Sequence, residues 1–160
     1  MLDRFFSFLR EAPAPPVARP RRSKRPRDFQ RRRVYAWEAA VLRPEAGPFL
    51  SLAACAELIE AAYRWHERPA AGDSAWRPPR LGDGRGRRHA CGSREVIKLP
   101  RWARTRIIVL HECAHGMSAD GHGPAFVAAY VALLCAFAGH DRAALVASLR
   151  RHGVKIAKNG

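Results

Sequence analysis

The sequence predicts an α+β fold, with four or five helices and a few short strands in one domain. Three observations support this. Apolar residues recur at intervals of three and four in several segments, the period of a helix with one buried face. The run Arg94-Glu95-Val96-Ile97-Lys98-Leu99-Pro100 alternates in part instead, as a strand does, and ends at proline. A chain of 160 residues is also one domain by length, large enough for a real core.

The first 26 residues are expected to stay outside that core. Met1–Arg10 carries Phe5, Phe6, Phe8 and Leu9, an apolar run too short for a signal peptide and without a small-residue cleavage site. It reads as a frayed terminus or a short sticky helix. Residues 11–26 alternate proline, alanine and arginine. That composition buries too little apolar surface to offset the entropy of ordering, so a disordered basic tail is expected over 1–26 and the folded domain over 27–157.

Within the domain, Val34, Trp37 and Val41 have helical spacing, although the aromatic residues there also suit a strand. A helix is expected over Val34–Leu42, closed by Pro44 and Pro48. Ser51–Arg68 is a clear helix, with Ser51 as N-cap and Leu52, Cys55, Leu58, Ile59, Ala62 and Tyr63 on one face. It reads as scaffold, and His66 near its end as a favourable helix-terminal charge, not a ligand. Pro69–Gly86 reads as loop. Helices are expected again over Trp102–Gly116, Gly123–Gly139 and Asp141–His152, and Val154-Lys155-Ile156 as an extension or short strand.

The third of these helices holds the chemistry. Its run Ile107-Ile108-Val109-Leu110-His111-Glu112-Cys113-Ala114-His115 contains H-E-x-x-H. Residues four apart stack on one helical face, so His111 and His115 can offer imidazole nitrogens to a single metal ion. Glu112 then stands beside the metal, placed to act as general base on a water the metal activates. Val109, Leu110, Cys113 and Ala114 point the other way, into a core.

A catalytic zinc has three protein ligands and an open position. No glutamate follows His115, so a third ligand of that type is excluded. Asp120, His122, His140, Asp141 and His152 remain. His122 stands out, because the segment before it has glycine at both ends, Gly116 and Gly121, and can turn the chain back towards the metal. The metzincin pattern H-E-x-x-H-x-x-G-x-x-H is not met: position 118 is serine and His122 falls one residue late.

H-E-x-x-H followed by His122-Gly123-Pro124-Ala125-Phe126 resembles the SprT-like (Spartan-type) zinc metallopeptidases, over about residues 95–130. The resemblance implies a zincin-like domain with His111, His115 and His122 as zinc ligands and Glu112 as general base. In zincin-type enzymes the strand before the metal helix lines the cleft and pairs its edge with an extended substrate. The cysteine-paired zinc ribbon that many SprT-like proteins carry is absent. Arg27-Asp28-Phe29-Gln30-Arg31 leading to Val34-Tyr35-Ala36-Trp37-Glu38 also resembles a family of small, uncharacterised metallohydrolases.

The expected function is therefore zinc-dependent hydrolysis of peptide bonds. The alternatives are a non-catalytic nucleic-acid-binding protein with a structural zinc, and a zinc hydrolase of non-peptide bonds. Tyr130 and Arg104 are the candidates for stabilising an oxyanion. The net charge of +15 bears on partners. Residues 1–33 and 77–106 each carry a surplus of eight positive charges, while the rest is nearly neutral. Such blocks attract nucleic-acid backbones, anionic membranes or acidic proteins, although a coding bias towards arginine also contributes. Cys55, Cys91, Cys113 and Cys135 form no C-x-x-C pair, and a reducing cytoplasm is expected.

Overall fold

The computed structural model describes residues 28–158. The basic tail expected over 1–26, with the short helix considered at its start, lies outside the described residues. The rest is α+β, with five α-helices and a small three-stranded sheet.

The chain enters through α1, Arg31–Trp37, which continues as a π-helical turn over Glu38–Leu42 and a 3-10 turn over Arg43–Glu45. The expected helix is therefore present, and its end is looser than expected. Pro44 sits in the first turn of the 3-10 segment, where its missing N–H costs nothing. The π turn keeps Trp37, Glu38 and Leu42 all on the buried side. Single π turns of this kind are frequent at functional sites.

Helix α2, Leu52–Glu67, is capped by Ser51, whose Oγ accepts the Ala54 N–H at 3.0 Å. Its inward stripe, Cys55, Leu58, Ile59, Ala62 and Tyr63, is the one the spacing predicts. The sheet follows, with β1 at Arg80–Gly82, β2 at Cys91–Gly92 and β3 at Val96–Lys98. Its order is β1-β3-β2, with β1 parallel and β2 antiparallel to β3. The strand expected over Arg94–Pro100 thus shrinks to three residues. It is also central, with both edges paired, so it offers no free edge to a substrate. β1 falls within the stretch read as loop.

The helix carrying H-E-x-x-H, α3, Arg106–Gly116, begins later than expected. Pro100 and a 3-10 turn over Arg101–Ala103 precede it, and Thr105 caps it, its Oγ1 accepting the Ile108 N–H at 3.4 Å. α3 lies at the centre of the domain, packed against α2, against β2 and against α4, Pro124–Ala138. α4 buries Phe126, Val127, Tyr130, Val131, Leu133 and Leu134. Each such side chain contributes roughly 1.5–3 kcal/mol by leaving water. α5, Arg142–Arg151, is capped by Asp141 and closes the core with Leu145 and Leu149.

Two hydrogen-bond systems fasten α1 to the end of the chain. The Trp37 indole N–H donates to Ser148 Oγ at 2.8 Å. The buried Gln30 amide donates to the Lys155 carbonyl and accepts its N–H, both at 2.9 Å. Val154–Ile156 joins no sheet. Lys155 spends its backbone groups on a side chain, and Ala157 N–H bonds the Pro124 carbonyl.

Glycine decides one close approach. A Cβ on Gly92 would collide with the backbone of Glu112, so β2 can lie against α3 only without a side chain there. Gly92→Ala is expected to cost about 1–3 kcal/mol through overpacking. Gly82→Ala, whose methyl would meet the Lys98 side chain at 3.4 Å and the Ile97 carbonyl at 4.0 Å, is expected to stay within about 0.5 kcal/mol of the parent. Urea unfolding of both variants checks the contrast.

Candidate metal centre

α3 presents His111 and His115 one turn apart, and the chain then reverses to return His122. Gly121 makes this possible, with φ at +64°, where a side chain would be strained and would meet Asp28. The ring centroids lie 5.0 Å apart for His111–His115, 5.3 Å for His111–His122 and 4.6 Å for His115–His122. One potential donor atom from each ring lies within 4.8 Å of the others. The three histidines picked out in the sequence thus converge on one point, and together they could hold a metal ion.

Two carboxylates that the sequence reading did not assign orient this set. Glu38 Oε2 lies 2.7 Å from His111 Nδ1, and Asp28 Oδ2 lies 2.8 Å from His122 Nδ1. An ionised carboxylate accepts only, so each Nδ1 carries the proton and each Nε2 keeps its lone pair. This is the carboxylate–histidine arrangement that fixes ring orientation and raises ligand basicity at metal sites. Asp28 Oδ1 also accepts the His122 backbone N–H at 3.0 Å. Burial pushes the Asp28 carboxyl up, but the hydrogen bonds from His122 outweigh it and hold the group below its ordinary value.

The fit to a metal is visible in one atom. His122 Nε2 is buried and has no hydrogen-bond partner among the described residues. Leaving such a group unsatisfied costs about 1–3 kcal/mol, which a cation accepting that lone pair would relieve. Phe126 forms the floor, its ring centroid 4.5 Å from His115, 4.9 Å from His122 and 5.0 Å from His111. The aromatic residue of the H-G-x-x-F element therefore acts by packing under all three rings. Tyr35 stacks on His111 with its ring tilted by only 8°.

Burial sets the charge state of the cluster. It pushes His115 down to about 3, helped by the neighbouring rings of His111 and His122. It lowers His122 as well, against the pull of Asp28. Neutral imidazoles are the form that binds metal. Burial also raises Glu112 to about 7, countered in part by His111.

The other candidates have different duties. Asp120 accepts the Ala125 and Phe126 N–H groups at 2.8 and 3.0 Å, at the start of α4, and Asp141 caps α5. His152 Nδ1 sits 2.9 Å from the Ser148 carbonyl within its own helix. His140 lies in a separate pocket with Pro48 and Ala138, and His66 is exposed on α2. Neither oxyanion candidate faces the cleft. Tyr130 is fully buried and donates to the Ile107 carbonyl at 3.2 Å. Arg104 lies before α3, not on its histidine face, and donates to the Leu99 and Asp83 carbonyls, both at 3.1 Å.

Removing either orienting carboxylate should show in the metal. Glu38→Gln and Asp28→Asn are each expected to weaken metal affinity about 10–100-fold with the fold retained. His122→Ala is expected to weaken it further, and His140→Ala not at all. Competition with a chromogenic chelator measures all four. Metal-free stability should also depend on pH. Below about 6.5 the unfolded state protonates His115, which the folded state resists down to about 3, so stability falls with pH. Glu112 works against this, because the folded state takes up its proton near 7 and the unfolded state only near 4.5. Metal-free Glu112→Gln is therefore expected to lose more stability between pH 7 and 5 than the parent, measured by urea unfolding. No protein-family model, curated protein or solved structure matches the chain.

Proposed function

We propose that the chain is a zinc-dependent metallopeptidase of SprT-like type, with a zincin-like domain. The observation that carries this is Glu112. The residue is largely buried beside His111, no described side chain hydrogen-bonds its carboxylate, and that carboxylate lines the cleft. A glutamate held there without a structural partner is placed to take a proton from a water in the cleft. A purely structural zinc also takes four protein ligands, and among the described residues three converge here.

His111, His115 and His122 would hold the ion through Nε2. When bound, the zinc would supply Lewis acidity and bring a water towards ionisation near neutral pH, while drawing the Glu112 pKa down. Glu112 accepts the proton of the attacking water and returns it to the leaving amine. Glu38 and Asp28 keep the His111 and His122 rings from turning. β2, at the edge of the sheet and against Glu112, is the strand whose free side an extended substrate would join.

Proteins associated with nucleic acid are the proposed substrates. Support comes from the second basic block. Arg85, Arg87, Arg101 and Arg104 line one pocket, and the exposed rings of Phe49 and Trp102 line the next. Arginine beside exposed aromatic rings suits backbone contact and base stacking. Among the described residues no helix is long and apolar enough to cross a membrane.

Purified protein is expected to hold about one zinc per chain by elemental analysis. Glu112→Gln is expected to keep the zinc and the fold and to lose peptide hydrolysis by at least about a hundredfold, the scale of general-base catalysis. Full activity in that variant would remove Glu112 from the mechanism. Binding to single-stranded DNA is expected to weaken steeply with salt, the slope of log K against log salt counting the phosphates neutralised.

A further inference from the structure

A pocket of about 260 Å³ opens beside the metal centre. His111 and Glu112 form one wall, and Arg31, Arg43, Tyr35 and Trp102 stand around the rest. The two arginines have no assigned duty. We propose that they form an anion subsite that receives a carboxylate of the peptide next to the bond to be cleaved. The inference rests on the metallopeptidase reading and names what that cleft prefers.

Arg31, like Arg32 and Arg80, forms no ion pair with a described residue, but its place is distinctive: it lines the pocket beside His111, and its guanidinium lies over the Tyr35 ring, 5.5 Å from the centroid. Arg43 makes one loose contact, Nε to Glu38 Oε1 at 3.7 Å, and its side chain is 52% exposed. Its terminal nitrogens have no hydrogen-bond partner among the described residues.

Glu38 cannot neutralise both cations. Its other oxygen is committed to His111, so its charge is shared between a ring and a guanidinium edge. Glu112, the other acid of the lining, pairs with neither guanidinium, so both exposed arginines stand open to an anion entering the cavity. A guanidinium presents two parallel N–H groups that match a carboxylate, and stacking on an aromatic ring holds that fork in place before binding. Tyr35 performs this for Arg31 while itself resting on His111. The cavity admits a side chain or a chain end. A nucleic-acid strand needs a longer groove, and the arginines lining the pocket beyond Trp102 are better disposed for one.

The test measures binding separately from turnover. Zinc-loaded full-length Glu112→Gln protein is titrated calorimetrically with N-acetylated hexapeptides. One pair carries Glu or Gln at an internal position, both amidated at the C-terminus. A second pair is neutral in sequence, with a free or amidated C-terminus. A carboxylate is expected to tighten binding about tenfold over its amide, and the pair that shows it tells whether a side chain or a chain end is the ligand. Adding Arg31→Ala and Arg43→Ala together should erase the difference while one zinc per chain is retained. Arg31→Lys should keep part of it.

Equal binding of all four peptides overturns the subsite, and so does a preference that survives loss of both arginines. A single-stranded oligonucleotide whose binding needs Arg31 and Arg43 when no peptide's does would reassign the pocket to phosphate. The same peptides given to the zinc-loaded parent keep the two readings apart. A carboxylate preference in binding with no cleavage refutes the peptidase and leaves the subsite standing. Cleavage at equal kcat/KM with equal binding refutes the subsite alone.

Discussion

The candidate metal centre depends on two hydrogen bonds between distant parts of the chain, one buried and one part-buried. Glu38 reaches His111 and Asp28 reaches His122, so the segment that enters the fold first orients ligands supplied by its last third. Each pair settles a tautomer, and the tautomer settles which nitrogen faces the centre. Without the carboxylates the imidazoles would be free to rotate or to present a proton where a lone pair is needed. Much of the surrounding structure serves to hold this N-terminal segment in place. Gln30 clasps Lys155, Trp37 bonds Ser148, and the π turn brings Glu38 inward.

The core explains why α3 can carry polar residues at its centre. Its apolar side, Val109, Leu110, Cys113 and Ala114, is fully buried, and α2 and α4 pack around it. The Tyr63 hydroxyl donates to the Cys113 carbonyl at 3.2 Å, which ties the scaffold helix to the metal helix directly. The opposite face buries His111 and Glu112 and half-buries His115; a hydrogen bond to Glu38 holds His111, and no described side chain holds Glu112. That asymmetry separates a residue that holds position from one that is left to react.

Much of this was legible in the residues. Helical spacing gave the long helices, because a buried stripe repeats several times over fifteen residues. His111, His115 and His122 could be grouped because a one-turn interval and a glycine-bounded reversal are local features. The short strands β1 and β2 were not legible, since two or three residues show no period. The start of α3 was missed because Thr105 competes for it against Trp102 and Arg104, which also fit a helix. Asp28 and Glu38 were missed as orienting groups for a different reason. Their partners are 94 and 73 residues away, and nothing local to an acidic residue announces a distant histidine. Two carboxylates in a strongly basic stretch were the available sign. Arg104 and Tyr130 were misjudged because their directions follow from tertiary packing alone.

The clasp between Gln30 and Lys155 has a consequence for how the protein comes into being. Synthesis runs from the N-terminus, and the domain folds as a unit once its sequence is available. The ring-orienting carboxylates emerge before the histidines, and Lys155, which pins Asp28's segment, emerges after them. Contacts of such separation close only after the intervening chain has been ordered. A ribosome-bound chain therefore carries three histidines that are not yet a metal site, and a glutamate not yet beside one. Lys155 lies downstream of all three histidines, so a product truncated before it would lack the clasp even with every candidate ligand present.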